Sequence, residues 1–128
     1  MKVFLSAISL FLSFAPPLFS ETEQAEANRF AALIEKENTL LVDVRTPDET
    51  RQEKIEGAIE FDFYADDFAQ KVLQLPKDKT LLLYCRSGNR SGQAAQLLES
   101  KGYDQLVNLE GGIKAWKEAN LPIVNDED

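Results

Sequence analysis

Thr80-Leu81-Leu82-Leu83-Tyr84 is a strand-like stretch around the apolar run Leu81-Leu82-Leu83, Cys85-Arg86-Ser87-Gly88-Asn89-Arg90-Ser91 is a short polar loop, and Gln93-Ala94-Ala95-Gln96-Leu97-Leu98 has a helical pattern. A brief apolar run of this kind suits a strand covered on both faces. Cys85, the only cysteine among 128 residues, therefore falls where a strand ends and a loop leads into a helix N-terminus. A thiolate is stabilised at such a place. Loop and first-turn N–H groups point at the sulfur, the helix dipole adds partial positive charge, and two arginines stand in the loop. These influences hold a thiol below its ordinary pKa. A lone cysteine also fits the role of a small buried hydrophobe, but the flanking arginines and glycine favour the reactive reading.

Working outward, the same alternation repeats. Residues 23–37 read as a helix with Ala27, Phe30, Leu33 and Ile34 on one face. Thr39 to Val44 is a second strand of the buried type, and Thr46-Pro47-Asp48-Glu49 is a helix start, with proline near the first position and acids in the first turn. Gly57 to Phe61 is a short strand, and Tyr64 to Leu75 is helical in pattern up to Pro76. Gly102 is placed to close the helix that carries Ala94, Leu97 and Leu98. Gln105 to Leu109 is a further strand, followed by Gly111-Gly112 and a short helix with Ile113 and Trp116. Strands alternating with helices predict an α/β domain with a mainly parallel sheet, whose sites form at the carboxyl ends of the strands. Cys85 lies at such an end.

The absences narrow the chemistry. There is no histidine, which removes Cys–His and Ser–His–Asp systems and histidine-bearing zinc sites. A single cysteine removes CxxC pairs and internal disulfides, so neither a metal nor another cofactor is expected. Residues 1–20 read as a secretory signal: Lys2 precedes an apolar run from Val3 to Phe14, with cleavage expected after Ser20. The run is shorter than the roughly 20 residues of a spanning helix, so no membrane association is expected after cleavage. The predicted location is periplasmic or secreted. The remaining domain, residues 21–128, carries net charge −9 against −8 for the whole chain, since Lys2 is the only charge removed. That balance argues against nucleic acid and anionic membranes as partners. The acidic Asn125-Asp126-Glu127-Asp128 end reads as a solvated tail. In an oxidising compartment a lone cysteine is a reactive thiol, an intermolecular pairing site, or a group protected by burial.

The chain resembles the single-domain rhodaneses (the thiosulfate sulfurtransferase family), and in particular the small periplasmic ones. The resemblance spans most of residues 39–124 and rests on Leu41-Val42-Asp43-Val44-Arg45, Gly57-Ala58-Ile59, the Cys85–Ser91 loop, and Gly111-Gly112-Ile113-Lys114-Ala115-Trp116. It implies a parallel sheet of about five strands flanked by helices, with the cysteine at the base of a cradle-like loop. Two departures stand out. Glu53-Lys54-Ile55-Glu56 replaces a stretch that often carries a histidine, and the helix read from residue 23 leaves little room for the family's first strand. Four residues separate Cys85 from Arg90. Cys-x₅-Arg phosphatases have one more, which disfavours a phosphatase or arsenate-reductase-like reading, because the smaller loop suits a sulfur atom added to the cysteine.

The resemblance implies sulfur transfer through a Cys85 persulfide, from a small anionic donor such as thiosulfate to a thiophilic acceptor, cyanide or a thiol, with a protein acceptor also open. A carrier or binding module without turnover is the alternative. In the loop, Arg86 attracts an anionic donor or is a solvated charge, and Arg90 bonds loop carbonyls or a nearby carboxylate. Ser87 and Ser91 donate to the sulfur, or Ser91 is an N-cap. Gly88 permits the turn, and Asn89 is structural. Asp43 and Arg45 read as paired scaffold charges and Trp116 as a core anchor.

Overall fold

The five strands lie side by side in the order β1-β5-β4-β2-β3, and every pairing is parallel. They are β1 (Glu23–Ala25), β2 (Thr39–Asp43), β3 (Ile59–Glu60), β4 (Thr80–Tyr84) and β5 (Leu106–Leu109). The helices are α1 (Ala27–Ile34), α2 (Pro47–Gln52), α3 (Phe68–Val72), α4 (Asn89–Ser100) and α5 (Gly112–Glu118). The computed structural model describes residues 21–126. The signal expected over residues 1–20 lies outside the described residues, and among those described no helix is long and apolar enough to cross a membrane.

β4 is the central strand, and its sequence shows why. Side chains alternate between faces along a strand. Leu81 and Leu83 pack with Val42, Val72, Ala94 and Leu98 under α3 and α4. Leu82 and Tyr84 pack on the other face with Leu41, Phe30, Ile113 and Trp116 under α1 and α5. All four β4 side chains are fully buried, and burial of a side chain of this size stabilises by roughly 1.5–3 kcal/mol. Trp116 meets the edge of Phe30 at a centroid separation of 6.4 Å and donates its Nε1–H to Pro122 O at 2.8 Å, which makes it the expected core anchor. The register pairs Asp43 with Tyr84, so β2 and β4 end level with one another. Their carboxyl ends form one edge, from which the loops after both strands rise.

Three expectations are corrected. Residues 23–25 form a strand rather than the start of a helix, which supplies the fifth strand. β1 pairs with β5 alone, and only Ala25 faces inward, so three residues carry no strand period that could compete with the helical pattern. Glu26 then caps α1, its carboxylate accepting from Asn28 N at 3.1 Å and Arg29 N at 2.8 Å. The helix read from Tyr64 shrinks to Phe68–Val72. Asp62 accepts the N–H of Tyr64 with its side chain and that of Ala65 with its carbonyl, a local turn that competes with the helix. The described start of the acidic tail is not simply solvated, while Glu127 and Asp128 lie outside the described residues. Val124 and Lys54 exchange backbone hydrogen bonds of 2.9 and 2.8 Å, and Asp126 pairs with Lys54 Nζ at 2.7 Å.

Candidate functional site

Cys85 follows β4 directly and is 1% exposed. Its Sγ accepts a hydrogen bond from Gly88 N at 3.1 Å and one from the Ser91 hydroxyl at 3.3 Å. The backbone N–H groups of Ser87 and Ser91 also act on the sulfur. Burial pushes the Cys85 thiol up, and these donors outweigh it, led by the Ser91 hydroxyl, so the thiol lies below its ordinary value. Donors of this kind favour the charged form of the group they surround.

The N–H groups turn inward because the carbonyls are engaged outside. Cys85 O accepts from Ile113 N at 2.9 Å, and Arg86 O from Lys114 N at 3.2 Å, both in the first turn of α5. Gly88 O accepts from Gly92 N at 3.0 Å and from Asn108 Nδ2 at 3.1 Å. Asn108, buried on β5, also donates to Gln24 Oε1 of β1 at 2.9 Å. The approach of α5 is close enough to exclude any side chain at its start. A Cβ on Gly112 would stand 2.3 Å from Arg86 O and 2.6 Å from Cys85 O, and its φ is +61°. Gly88, at φ +97°, provides the left-handed step that brings its N–H under the sulfur.

Arg90, in the first turn of α4, reaches away from the sulfur to Glu49 of α2 in a bidentate pair at 2.7 and 2.8 Å. Of the two expected partners it has taken the carboxylate. Its hydrogen bonds hold the Glu49 carboxyl down at about 2, against the opposing effect of burial. The same guanidinium lies 5.6 Å from the ring centroid of Tyr64, which is otherwise exposed. Glu49 also closes a capping box with Thr46, so α2 is held at its own start and to the loop by one side chain.

The remaining loop residues divide. Ser91 is buried and donates to the sulfur; the N-cap of α4 is Gly88. Ser87 is exposed and acts through its N–H. Asn89 is exposed at the start of α4, where Oδ1 accepts from Gln93 Nε2 at 3.5 Å. Arg86 projects outward to the wall of a groove of about 430 Å³, with Ile113, Lys114 and Lys117 on its side and Gln52 and Glu53 across from it. Asp43 and Arg45 stay out of the cradle. Asp43 accepts from Arg45 N, Nε and Nη2 at 2.9, 3.0 and 2.7 Å, while Nη2 also donates to Glu53 O, so the pair ties β2 to the end of α2. Among the described residues no group of histidine, cysteine, aspartate or glutamate is arranged to hold a metal ion.

Glu49, Asn108 and Tyr64 did not stand out in the sequence as parts of a site. Glu49 reads there only as a first-turn acid, and nothing local marks Asn108 within an apolar strand.

The model of the rhodanese-like domain matches residues 26–119. The chain belongs to the rhodanese family. It is 42% identical over 95 residues to a sulfurtransferase of Allochromatium vinosum, covering 74% of this chain and 87% of that protein. It is 31% identical over 101 residues to the thiosulfate sulfurtransferase GlpE of Shewanella oneidensis, covering 79% and 98%. Among solved structures, a rhodanese-related protein of Thermoplasma volcanium superposes with a TM-score of 0.70 at 29% identity, over 80% of this chain and 97% of the other. The match begins at Glu26, so β1 lies just before it, and the rhodanese sheet is complete with its first strand in place.

Proposed function

We propose that this rhodanese is a sulfurtransferase that carries sulfur as a persulfide on Cys85, with thiosulfate as a competent donor. The observation that carries the reading is the inward set of donors around Sγ, with the loop carbonyls turned out into α5 and Asn108. Family membership and the named sulfurtransferases among its relatives support the same reading. The Cys85 thiolate attacks the outer sulfur of thiosulfate. A new S–S bond forms at Sγ, the S–S bond of thiosulfate breaks, and sulfite leaves with the electron pair. The extra sulfur keeps the negative charge, and the N–H groups of Ser87, Gly88 and Ser91 that surround Sγ supply fixed dipoles to offset it. A nucleophilic acceptor then attacks that sulfur, takes it, and returns Cys85 as thiolate. No base is required at either step, which suits a chain without histidine.

The test is the intact mass of the purified, freshly reduced chain after thiosulfate treatment, with Cys85→Ser alongside. One added sulfur on the wild type alone, removed by cyanide, is the expected result. No adduct would overturn thiosulfate as donor. An adduct that forms once but never cycles with free acceptors would replace the enzyme by a carrier.

A further inference from the structure

We infer that Gln24, on the edge strand β1, is a positioning residue of the cradle: through Asn108 it holds Gly88 where its N–H meets the Cys85 sulfur. This inference rests on Cys85 being the activated nucleophile. In the parallel register of β1 and β5, Gln24 lies directly beside Asn108, so both side chains project from the same face of the sheet. That face is the one under α4, where Leu106, two residues before Asn108, packs with Ala94 and Leu98. Gln24 Oε1 accepts from Asn108 Nδ2 at 2.9 Å, and the same nitrogen donates to Gly88 O at 3.1 Å. Gly88 N in turn donates to Sγ at 3.1 Å. The donor under the sulfur is thus gripped at its own carbonyl by an amide braced on β1.

Satisfying polar groups does not account for this arrangement. Gly88 O already accepts from Gly92 N at 3.0 Å, so the amide adds a second bond to a carbonyl that has one. Asn108 is 3% exposed, and its Oδ1 is buried with no hydrogen-bond partner among the described residues. An unpaired buried acceptor is costly, and its retention calls for a use. The terminal torsion of an asparagine has only a broad preference, and no bond to Oδ1 orients the group. Its two Nδ2 bonds therefore set the plane of the amide, and the one to Gln24 is the one that anchors it outside the loop. β1 itself does not depend on that bond. Ala25 O accepts from Glu110 N at 2.8 Å, and Thr22 N donates to Glu99 Oε1 of α4 at 2.8 Å. Removing the Gln24 acceptor thus leaves the strand in place and frees the amide.

The experiment follows iodoacetamide alkylation of Cys85 across pH in wild type, Gln24→Met, Asn108→Ala and the double variant, with thermal unfolding as the check on folding. Arg90 of α4, whose charge is felt at the sulfur, is untouched in every variant. Gln24→Met, which keeps the shape and loses the acceptor, is expected to react roughly threefold more slowly than wild type at low pH, with the profiles converging at high pH. In the Asn108→Ala background the same substitution is expected to change nothing further. Gln24→Glu, which keeps an acceptor, is expected to bring the rate back toward wild type at about 1 M salt, where its charge is screened. A Gln24→Met profile superimposable on wild type overturns the inference and leaves the persulfide reading intact. Equal slowing with and without Asn108, or no recovery in Gln24→Glu, overturns it as well, and the recovery decides alone if Asn108→Ala does not fold. A wild type that reacts at low pH no faster than glutathione overturns the reading of Cys85, and this inference with it.

Discussion

Replacing Ser91 by alanine removes one hydroxyl, buried and 3.3 Å from Sγ, the strongest of the donors that lower the thiol. A hydrogen bond to a charged group is worth roughly 1.5–3 kcal/mol, and about 1.4 kcal/mol corresponds to a factor of ten. At a pH below the thiol pKa of both proteins, the thiolate fraction of Ser91→Ala therefore falls roughly ten- to a hundredfold. A thiolate of higher pKa is intrinsically more nucleophilic, with a Brønsted slope of about 0.4–0.5, which returns nearly half of that factor on a logarithmic scale. The net expectation is alkylation by iodoacetamide roughly 4- to 15-fold slower than wild type at low pH, with the two profiles crossing at high pH. The assay is the pseudo-first-order rate across pH, read by intact mass, with thermal unfolding confirming that the variant is folded. Superimposable profiles would refute the claim that the hydroxyl stabilises the thiolate, and would leave the sulfur to the backbone donors alone.

Glu49→Gln should lose about 1–2 kcal/mol at pH 7, measured by urea unfolding, because the bidentate pair with Arg90 goes while its partly exposed setting screens the loss. Glu49 titrates near 2 when folded against its ordinary 4.5, so its contribution is complete above about 4.5 and fades as pH falls toward 2; the variant should show a flatter acid limb over that window. Gly112→Ala places a Cβ against Arg86 O and Cys85 O at a positive φ. It should cost about 2 kcal/mol or more in unfolding free energy and slow persulfide formation by mass. Asn108→Asp keeps the shape but sets a carboxylate oxygen where Nδ2 now donates to Gly88 O. It should destabilise by about 2–4 kcal/mol and slow low-pH alkylation of Cys85, an effect that Asn108→Ser should share only weakly.

The parallel sheet was legible because β2 and β4 are short, largely apolar runs that suit strands covered on both faces and alternate with helical patterns. The loop was legible because its chemistry is local: Cys85, Gly88 and Ser91 lie within one strand-to-helix turn, and their contacts follow from that geometry. What escaped the sequence depends on partners far along the chain. β1 exists because β5 offers an edge to Glu23–Ala25, and no period in three residues reports that. The pairing of Arg90 with Glu49 joins α4 to α2, whereas either residue alone has several plausible partners. Asn108 is one polar residue in a buried strand, and its use appears only when Gly88 O arrives beside it. The excess helix at Tyr64 failed for a local reason, because Asp62 offers the backbone a turn that hydrophobic periodicity does not register.

The two carbonyl bonds from Ile113 and Lys114 also set the order in which reactivity is acquired. Synthesis runs from the N-terminus, so Cys85 leaves the ribosome well before the segment that turns its loop. A nascent or C-terminally truncated chain keeps the donors of Gly88 and Ser91 within its reach but lacks the two bonds that hold the carbonyls of Cys85 and Arg86 outward. Full activation of the sulfur is then a property of the finished chain, and low-pH alkylation of Cys85 should differ between the full chain and one that ends before Ile113.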